Sequence, residues 1–366
     1  MNSLLRAAPA WITGYGVTTS VGGNTAQSCA SMRAGTVRFV KSDRYACAAR
    51  DPENEPPEEA LIVPIEEIDP EAGGFDRLVR LSIGALTEAI ESARITRNEL
   101  DGYVLALALP QSGRPGAREI AARFADELLR RSSLPRPKQV AVSQVGHSGV
   151  GELLANVPTI LAEHGPVLLL AVDSLLDRAT LEWLDRADRL KCTRAPEGVL
   201  AGEAAAAFLL EAPRAAERAS RRPRATLDAV GLAVEEAHLF SDRACVGVGL
   251  SAAVRAANAA LAKAPAPPWV LLDHNGERYR ALEWAYVVTR LHAVFREVNP
   301  TWYVADTVGD VGAAIGGLAA ARVLAAYERD YAPAEQAWIL LGSDDGARAA
   351  CWSAVLVVFD AGHDDR

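Results

Sequence analysis

Cysteine is scarce and scattered: Cys29, Cys47, Cys192, Cys245 and Cys351 stand singly along 366 residues, with no CxxC pair among them. An odd count at such spacing suggests neither a disulfide framework nor a zinc site, so a reduced, cytoplasmic protein without a metal is expected. Positive charge is also short. Lys plus Arg number 38 against 47 Asp plus Glu, for a formal charge of -9, which argues against a general nucleic-acid binder with its basic face. No apolar run approaches the ~20 residues of a membrane span, and the opening MNSLLRAAPAWITGYG is too short and polar for a signal peptide. Aromatic residues make up 6% of a chain that is 50% apolar. Ala, Val and Leu therefore supply most of the core, and helices and plain strands should pack closely. A chain of this length can bury a large one.

The apolar pattern alternates strands with helices. Residues 11–17 read as a buried strand ending in a Gly-rich turn, and residues 24–34 as a helix closed by Gly35. Residues 51–74, rich in Pro and Glu, read as a surface excursion. A helix is expected over 77–93, a strand over 103–109, a helix over 117–130, and a short strand over 140–142 that runs into Gly146-His147-Ser148-Gly149 and a helix through 161. Strands follow at 167–172 and 204–210. The basic stretch 213–224 looks like a solvated crossover without the aromatic residues a nucleic-acid patch would carry. The second part repeats the theme: strand 225–234, helix 251–262, strand 269–272, helix 280–295, strand 302–304, Gly/Ala-rich helix 311–327, and strands 338–341 and 354–359. Continuous apolar strands alternating with helices imply an α/β protein with sheets covered on both faces. The similar element order suggests two related halves, 1–215 (with the excursion near 40–75) and 216–366, forming one integrated unit.

Four segments together resemble the β-ketoacyl synthase branch of the thiolase fold. Residues 12–22, ITGYGVTTSVG, look like that family's first strand and turn, followed by Met32-Arg33-Ala34-Gly35. Residues 197–206, EGVLAGEAAA, are similar to its GFVxGEGAA strand. Asp273-His274-Asn275-Gly276 falls where the family has the histidine of its HGTGT loop, and residues 308–316, VGDVGAAIG, resemble its GHxxAAxG helix start. The resemblance spans nearly the whole chain and implies a five-layer αβαβα fold, usually dimeric. It also implies a cysteine nucleophile at a buried helix N-terminus, where the helix end favours the thiolate. Two histidines would stabilise the charge that develops as a malonyl thioester loses carbon dioxide, with a lysine in support.

The departures fall on those chemical positions. Aligning Ser148-Gly149-Val150 with the residues after the nucleophile puts Gly146 on the cysteine position, and a one-residue shift puts His147 there. Neither can carry an acyl thioester. Asp310 stands at the second histidine and Ala305 at the lysine, leaving His274 as the surviving member. The C-terminal loop reads Gly342-Ser343-Asp344-Asp345-Gly346, without the usual Phe-Gly pair.

Ser148 beside His147 invites an acyltransferase or hydrolase, with His274 as base and Asp310 orienting it. GHSGVG fails the GxSxG pattern, however, and the plainer expectation is that His147 and Ser148 cap helix N–H groups, with Asp310 an N-cap and His274 a relic bonded to local backbone. Cys192 should pack as a small hydrophobe, and the small residues 312–321 fit close helix packing better than a phosphate loop, so no cofactor is expected. The resemblance then implies a degenerate, non-condensing protein of fatty-acid- or polyketide-type acyl metabolism. It would be a scaffold or chain-length-factor-like subunit, a homodimer or a heterodimer with a ketosynthase-like protein, with an acyl carrier protein as a further partner. The alternatives are altered acyl chemistry at Ser148, His147 or His274, and an adaptor that uses only the fold's surface.

Overall fold

The computed structural model describes residues 10–350 apart from 50–52, 54–55, 70–71, 262–268 and 296–299. Thirteen strands lie among them: β1 (Ala10–Thr19), β2 (Val40–Cys47), β3 (Glu58–Val63), β4 (Val104–Ala108), β5 (Gln139–Ser143), β6 (Val167–Ser174), β7 (Ala201–Glu211), β8 (Ala225–Leu227), β9 (Gly231–Val234), β10 (Trp269–Leu272), β11 (Thr301–Tyr303), β12 (Ala337–Gly342) and β13 (Ala347–Ala350). The first eight form one sheet. β5, β4, β6 and β7 follow in order, β1 pairs along most of β7 with β8 beyond it, and β3 with β2 joins the first residues of β7. The second sheet runs β11-β10-β12-β13-β9.

Side chains of a strand point alternately to its two faces, and here both faces are covered. From the first sheet, Leu105, Leu107, Leu168 and Leu170 pack on the outer helices Gly74–Ser92 and Ala117–Ser132. The alternate residues, Val104, Ala106, Leu169 and Ala171, meet the helices Gly149–Glu163 and Ile315–Glu328. Those helices also touch Trp269, Leu271, Ile339 and Leu341 of the second sheet. The far face of that sheet, with Val270, Leu272, Trp338 and Leu340, is covered by Val248–Ala260 and Arg278–Arg290. The result is the expected αβαβα stack of five layers. A helix between two sheets has no solvent face, which is why Ile315–Glu328 is buried from Ile315 to Tyr327 and almost wholly apolar, its interior Arg322 donating to the Tyr303 carbonyl. Small residues let it approach: a Cβ on Gly317 would stand 2.7 Å from Cβ of Ala206.

Several boundaries differ from the sequence expectation. The stretch near 40–75 is no excursion, because β2 and β3 pair antiparallel and Ile62 and Val63 continue the first sheet alongside Ala201 and Gly202. The apolar run Ala60-Leu61-Ile62-Val63 carries that pairing. The strand expected over 225–234 is two strands, broken at Asp228-Ala229-Val230, with β8 in the first sheet and β9 in the second. The passage between sheets therefore falls after Leu227. Basic stretch 213–224 starts as the short helix Pro213–Arg218 and is largely solvated, with Arg214, Arg218 and Arg222 exposed, but two of its arginines are anchored. Arg221 pairs with the buried Glu211 at 2.6 Å and Arg224 with Glu328 at 2.7 Å. The helix Arg178–Arg186 has no counterpart in the sequence reading; Asp177 caps it by accepting from Thr180 N–H. The strand expected over 354–359 lies outside the described residues.

β1 runs so close to the helix Gly74–Ser92 that a Cβ on Gly16 would overlap the Ala85 carbonyl oxygen. Gly16→Val is expected to cost about 3 kcal/mol, read as a clear drop in melting temperature; an unchanged melt would refute the close packing.

Candidate functional site

Between β5 and the central helix Gly149–Glu163 the chain makes a sharp strand–turn–helix bend. Gly146 takes φ +68 there and opens the single 3-10 turn Gly146–Ser148. An L side chain is strained in that conformation, and a Cβ would sit 3.0 Å from Gln111 Oε1. The bend is fastened to the second sheet. Ser148 N–H donates to Ser343 Oγ at 3.1 Å, Ser343 Oγ donates to the Val145 carbonyl, and Ser148 Oγ donates to the Ala347 carbonyl at 2.8 Å, with the Leu341 carbonyl at 3.3 Å.

His147, next on the turn, is buried and points into a cluster of charges. Its Nδ1 lies 3.0 Å from Asp273 Oδ2 and its Nε2 2.9 Å from Asp310 Oδ1. Both partners are acceptors, so both ring nitrogens serve best as donors, which is the imidazolium form. Burial and the Arg280 guanidinium pull its pKa down, but Asp310 and Asp273 outweigh them and hold it at about 9. Against their own burial, Arg280 and His147 keep Asp273 ionised, down at about 2, and His147 in particular holds Asp310 far below the carboxylate range.

Around this core the bonding is nearly complete. Asp310 also accepts from Gly312 N–H at 2.8 Å and from Asn275 Nδ2 at 2.7 Å. Asp273 accepts from Gly342 N–H at 2.7 Å and from Arg280 Nη1 at 3.0 Å, and Arg280 Nη2 reaches Asp344 at 2.7 Å. Arg189 closes the outer side with a two-point bond to Glu277, 2.6 and 2.9 Å, and a contact with Asp344 at 2.9 Å. Its guanidinium also lies 5.6 Å from the Trp183 ring and 5.8 Å from that of Phe240. Three cations thus meet four carboxylates in one buried cluster. Beside it, Asp173 accepts from Arg114 at 2.8 Å and from Ala313 N–H at 2.9 Å; burial leaves its carboxyl above the ordinary range despite Arg114.

The structure rearranges the roles the sequence suggested. Gly146, His147, Ser148 and Asp310 do converge, while Ala305 is buried in the hydrophobic core at the start of the short helix Ala305–Val308. His147 and Ser148 are not helix caps, because one ring is held by two carboxylates and the hydroxyl donates to carbonyls of the second sheet. Asp310 takes a backbone N–H two residues on, but its main partner is His147. His274 does not reach Asp310 or Ser148 in any hydrogen bond among the described residues. It stacks on Tyr303 at 5.3 Å, with burial lowering its pKa. The serine–histidine pair of a hydrolase is therefore not assembled. Cys192 is buried, as expected of a small hydrophobe, in a cluster with Leu190 and Val199.

The residues the sequence reading passed over are Asp273, Asn275, Glu277, Arg280, Asp344 and Arg189. For Asp273 and Asn275 a signal was present, two polar residues separated by one position directly after the apolar strand β10; Glu277, Arg280, Asp344 and Arg189 carried none. One trio of metal-ligand types also gathers among the described residues, Glu235, Cys245 and Glu283. Its donors are engaged, since Glu235 accepts from Gly249 N–H at 2.7 Å and Glu283 holds Arg348 at 2.7 Å. A buried guanidinium there disfavours a cation.

No protein-family model matches this sequence, and no curated protein matches it. Solved structures do match its shape. The ishigamide ketosynthase/chain length factor superposes at TM-score 0.74 with 16% identity, covering 95% of this chain and 99% of that one. A β-ketoacyl synthase from Burkholderia phymatum STM815 gives 0.75 with 15% identity, covering 96% and 100%. A type II PKS acyl-carrier protein in complex with its ketosynthase bound to the hexaketide gives 0.74 with 12% identity over 96% and 100%. The fold is thus the thiolase-like fold of the ketosynthases.

A raised histidine pKa stabilises the fold fully below the ordinary value of 6.5, and that stability is lost as pH climbs towards about 9. Asp273 and Asp310 stay ionised throughout this window, and the thiols of Cys29, Cys47 and Cys245, pushed up by burial, contribute only as pH nears 9, so the earlier part of the slope belongs to His147. The loss is expected to total roughly 3 kcal/mol, seen as a falling denaturation midpoint between those pH values. His147→Gln should flatten that slope; a natural chain with no slope would remove the imidazolium assignment.

Proposed function

We propose that this chain is a non-condensing partner of a ketosynthase-like protein, comparable to a chain-length factor, in fatty-acid- or polyketide-type acyl metabolism. The observation that carries the reading is the elbow. Gly146 brings no nucleophile to the bend, and the adjacent imidazole has both nitrogens engaged by carboxylates. Condensation needs a thiolate to hold the acyl group and hydrogen-bond donors for the developing enolate. Asp310, an ionised carboxylate, would repel that charge. The apolar space between the central helices, lined by Val150, Leu154, Gly316, Ala320 and Leu341, measures about 20 Å³. That is room for about one water, too little for an acyl chain to pass between these helices.

A place for the partner is suggested by β5. It pairs with β4 and ends the sheet order, and Val140 and Val142 are 38% and 46% exposed. An open strand edge accepts a strand from another chain, which would join either two copies or this chain and a ketosynthase. A second reading, an adaptor working only through its surface, is favoured by the charge cluster that fills the pocket. Acyl chemistry at Ser148 finds no support in the hydroxyl's bonds to backbone.

Pure protein incubated with malonyl- and acyl-carrier protein is expected to give no β-ketoacyl product, and any product above background overturns the proposal. Gly146→Cys should stay inactive, because the strained backbone and Gln111 remain and no donor faces the enolate. Co-expression with a ketosynthase of the same genome should yield a complex that Val140→Lys with Val142→Lys disrupts. A change in product length on complex formation selects the chain-length-factor role; unchanged products select the adaptor.

A further inference from the structure

The outer helices of the two sheets differ in charge. On the first sheet, Gly74–Ser92 and Ala117–Ser132 mix acids with arginines: Asp76, Glu88, Glu91, Glu119, Asp126 and Glu127 all lie there. On the second sheet, Val248–Ala260 contains no acid at all, and Arg278–Arg290 contains only Glu283, which is buried against Arg348 at 2.7 Å. In a chain of net charge -9, this layer is an exception.

Spacing on the second helix sharpens the contrast. Arg278, Leu282, Tyr286 and Arg290 recur every fourth residue, so each neighbours the next along one slowly winding stripe, and all four are exposed. Leu282 and Tyr286 each keep 43% of their surface in water, and Val248, which follows the Gly247 that packs against Tyr286, keeps 51%. Neither Arg278 nor Arg290 forms an ion pair among the described residues; Arg290 Nε donates to the Val246 carbonyl at 2.7 Å. Arg278 stands at the first helical position, where a cation opposes the helix dipole, so the fold itself gains nothing from its charge.

We propose that this stripe, two cations flanking an apolar ridge, is a docking surface for an acidic amphipathic helix of a partner protein. Apolar residues of that helix would cover Leu282, Tyr286 and Val248, while carboxylates at its two ends meet Arg278 and Arg290. Charge complementarity selects the acidic partner, and the ridge selects a folded helix over a polyanion without apolar contacts. The surface is distinct from the β5 edge and does not depend on the role assigned to the chain above.

The test uses the whole protein and a fluorescein-labelled amphipathic helix of about four turns, with leucines on one face and glutamates at its ends. A permuted peptide of equal composition and a single-stranded oligonucleotide serve as rivals. Anisotropy titration should show saturable binding by the amphipathic helix that weakens on raising salt from about 0.05 to about 0.5 M. The permuted peptide should bind roughly tenfold more weakly. Arg278→Glu with Arg290→Glu, and separately Leu282→Ser with Tyr286→Ser, should each lower affinity by about tenfold or more, with melting curves unchanged at these exposed positions. Arg278→Lys with Arg290→Lys should retain binding. No binding by the amphipathic helix, equal binding by the natural chain and both variants, or tighter binding of the oligonucleotide would each overturn the proposal.

Discussion

The imidazole of His147, held between Asp273 and Asp310, ties the architecture together. Its partners are 126 and 163 residues away in sequence, so the bond joins the elbow after β5 to the loop after β10 and to the approach of the second central helix. Arg280 then carries the connection on to the β12–β13 hairpin through Asp344 and the Gly342 carbonyl. The bonds of Ser148 and Ser343 join the elbow to the same hairpin, and the buried imidazolium adds the loops of Asp273 and Asp310 to that connection.

Such a centre is costly to assemble, because each ion leaves water for a medium of low dielectric constant. Close geometry and further hydrogen bonds offset that cost, and removal of any one partner leaves a buried charge uncompensated, a loss of about 3–5 kcal/mol. The cluster is thereby rigid and specific. Both ring nitrogens of His147 are engaged, so neither can exchange a proton without breaking a bond to a carboxylate. What has filled the site is a set of mutual contacts that a ligand could enter only by breaking several at once.

Much of the fold was legible because its constraints are local. The Gly-rich turn after β1, the small residues of 312–321 and the uninterrupted apolar strands each report a neighbour that must approach closely or cover both faces. The absence of a thiol at Gly146 could also be read directly. The partners of His147 were not legible, since they are set by tertiary approach over long sequence separations. The spacing pointed to His274, yet it is the preceding Asp273 that meets His147, while His274 lies against Tyr303. In the same way, the Pro- and Glu-rich flanks around 40–75 masked the short apolar run that makes β3 a strand, and a three-residue break hid the change of sheet between β8 and β9. Ser148 looked like chemistry because of its neighbour, while its hydroxyl is directed by the carbonyls of β12 and β13.

The bare edge of β5 has a meaning for the protein's life in a cell. A row of unpaired backbone groups flanked by Val140 and Val142 is a template for any passing strand, including one from an identical or half-folded copy. A chain whose β5 edge stays open is therefore exposed to clumping and to quality-control proteases. If a second chain covers that edge, matched synthesis of the two would keep it from standing open.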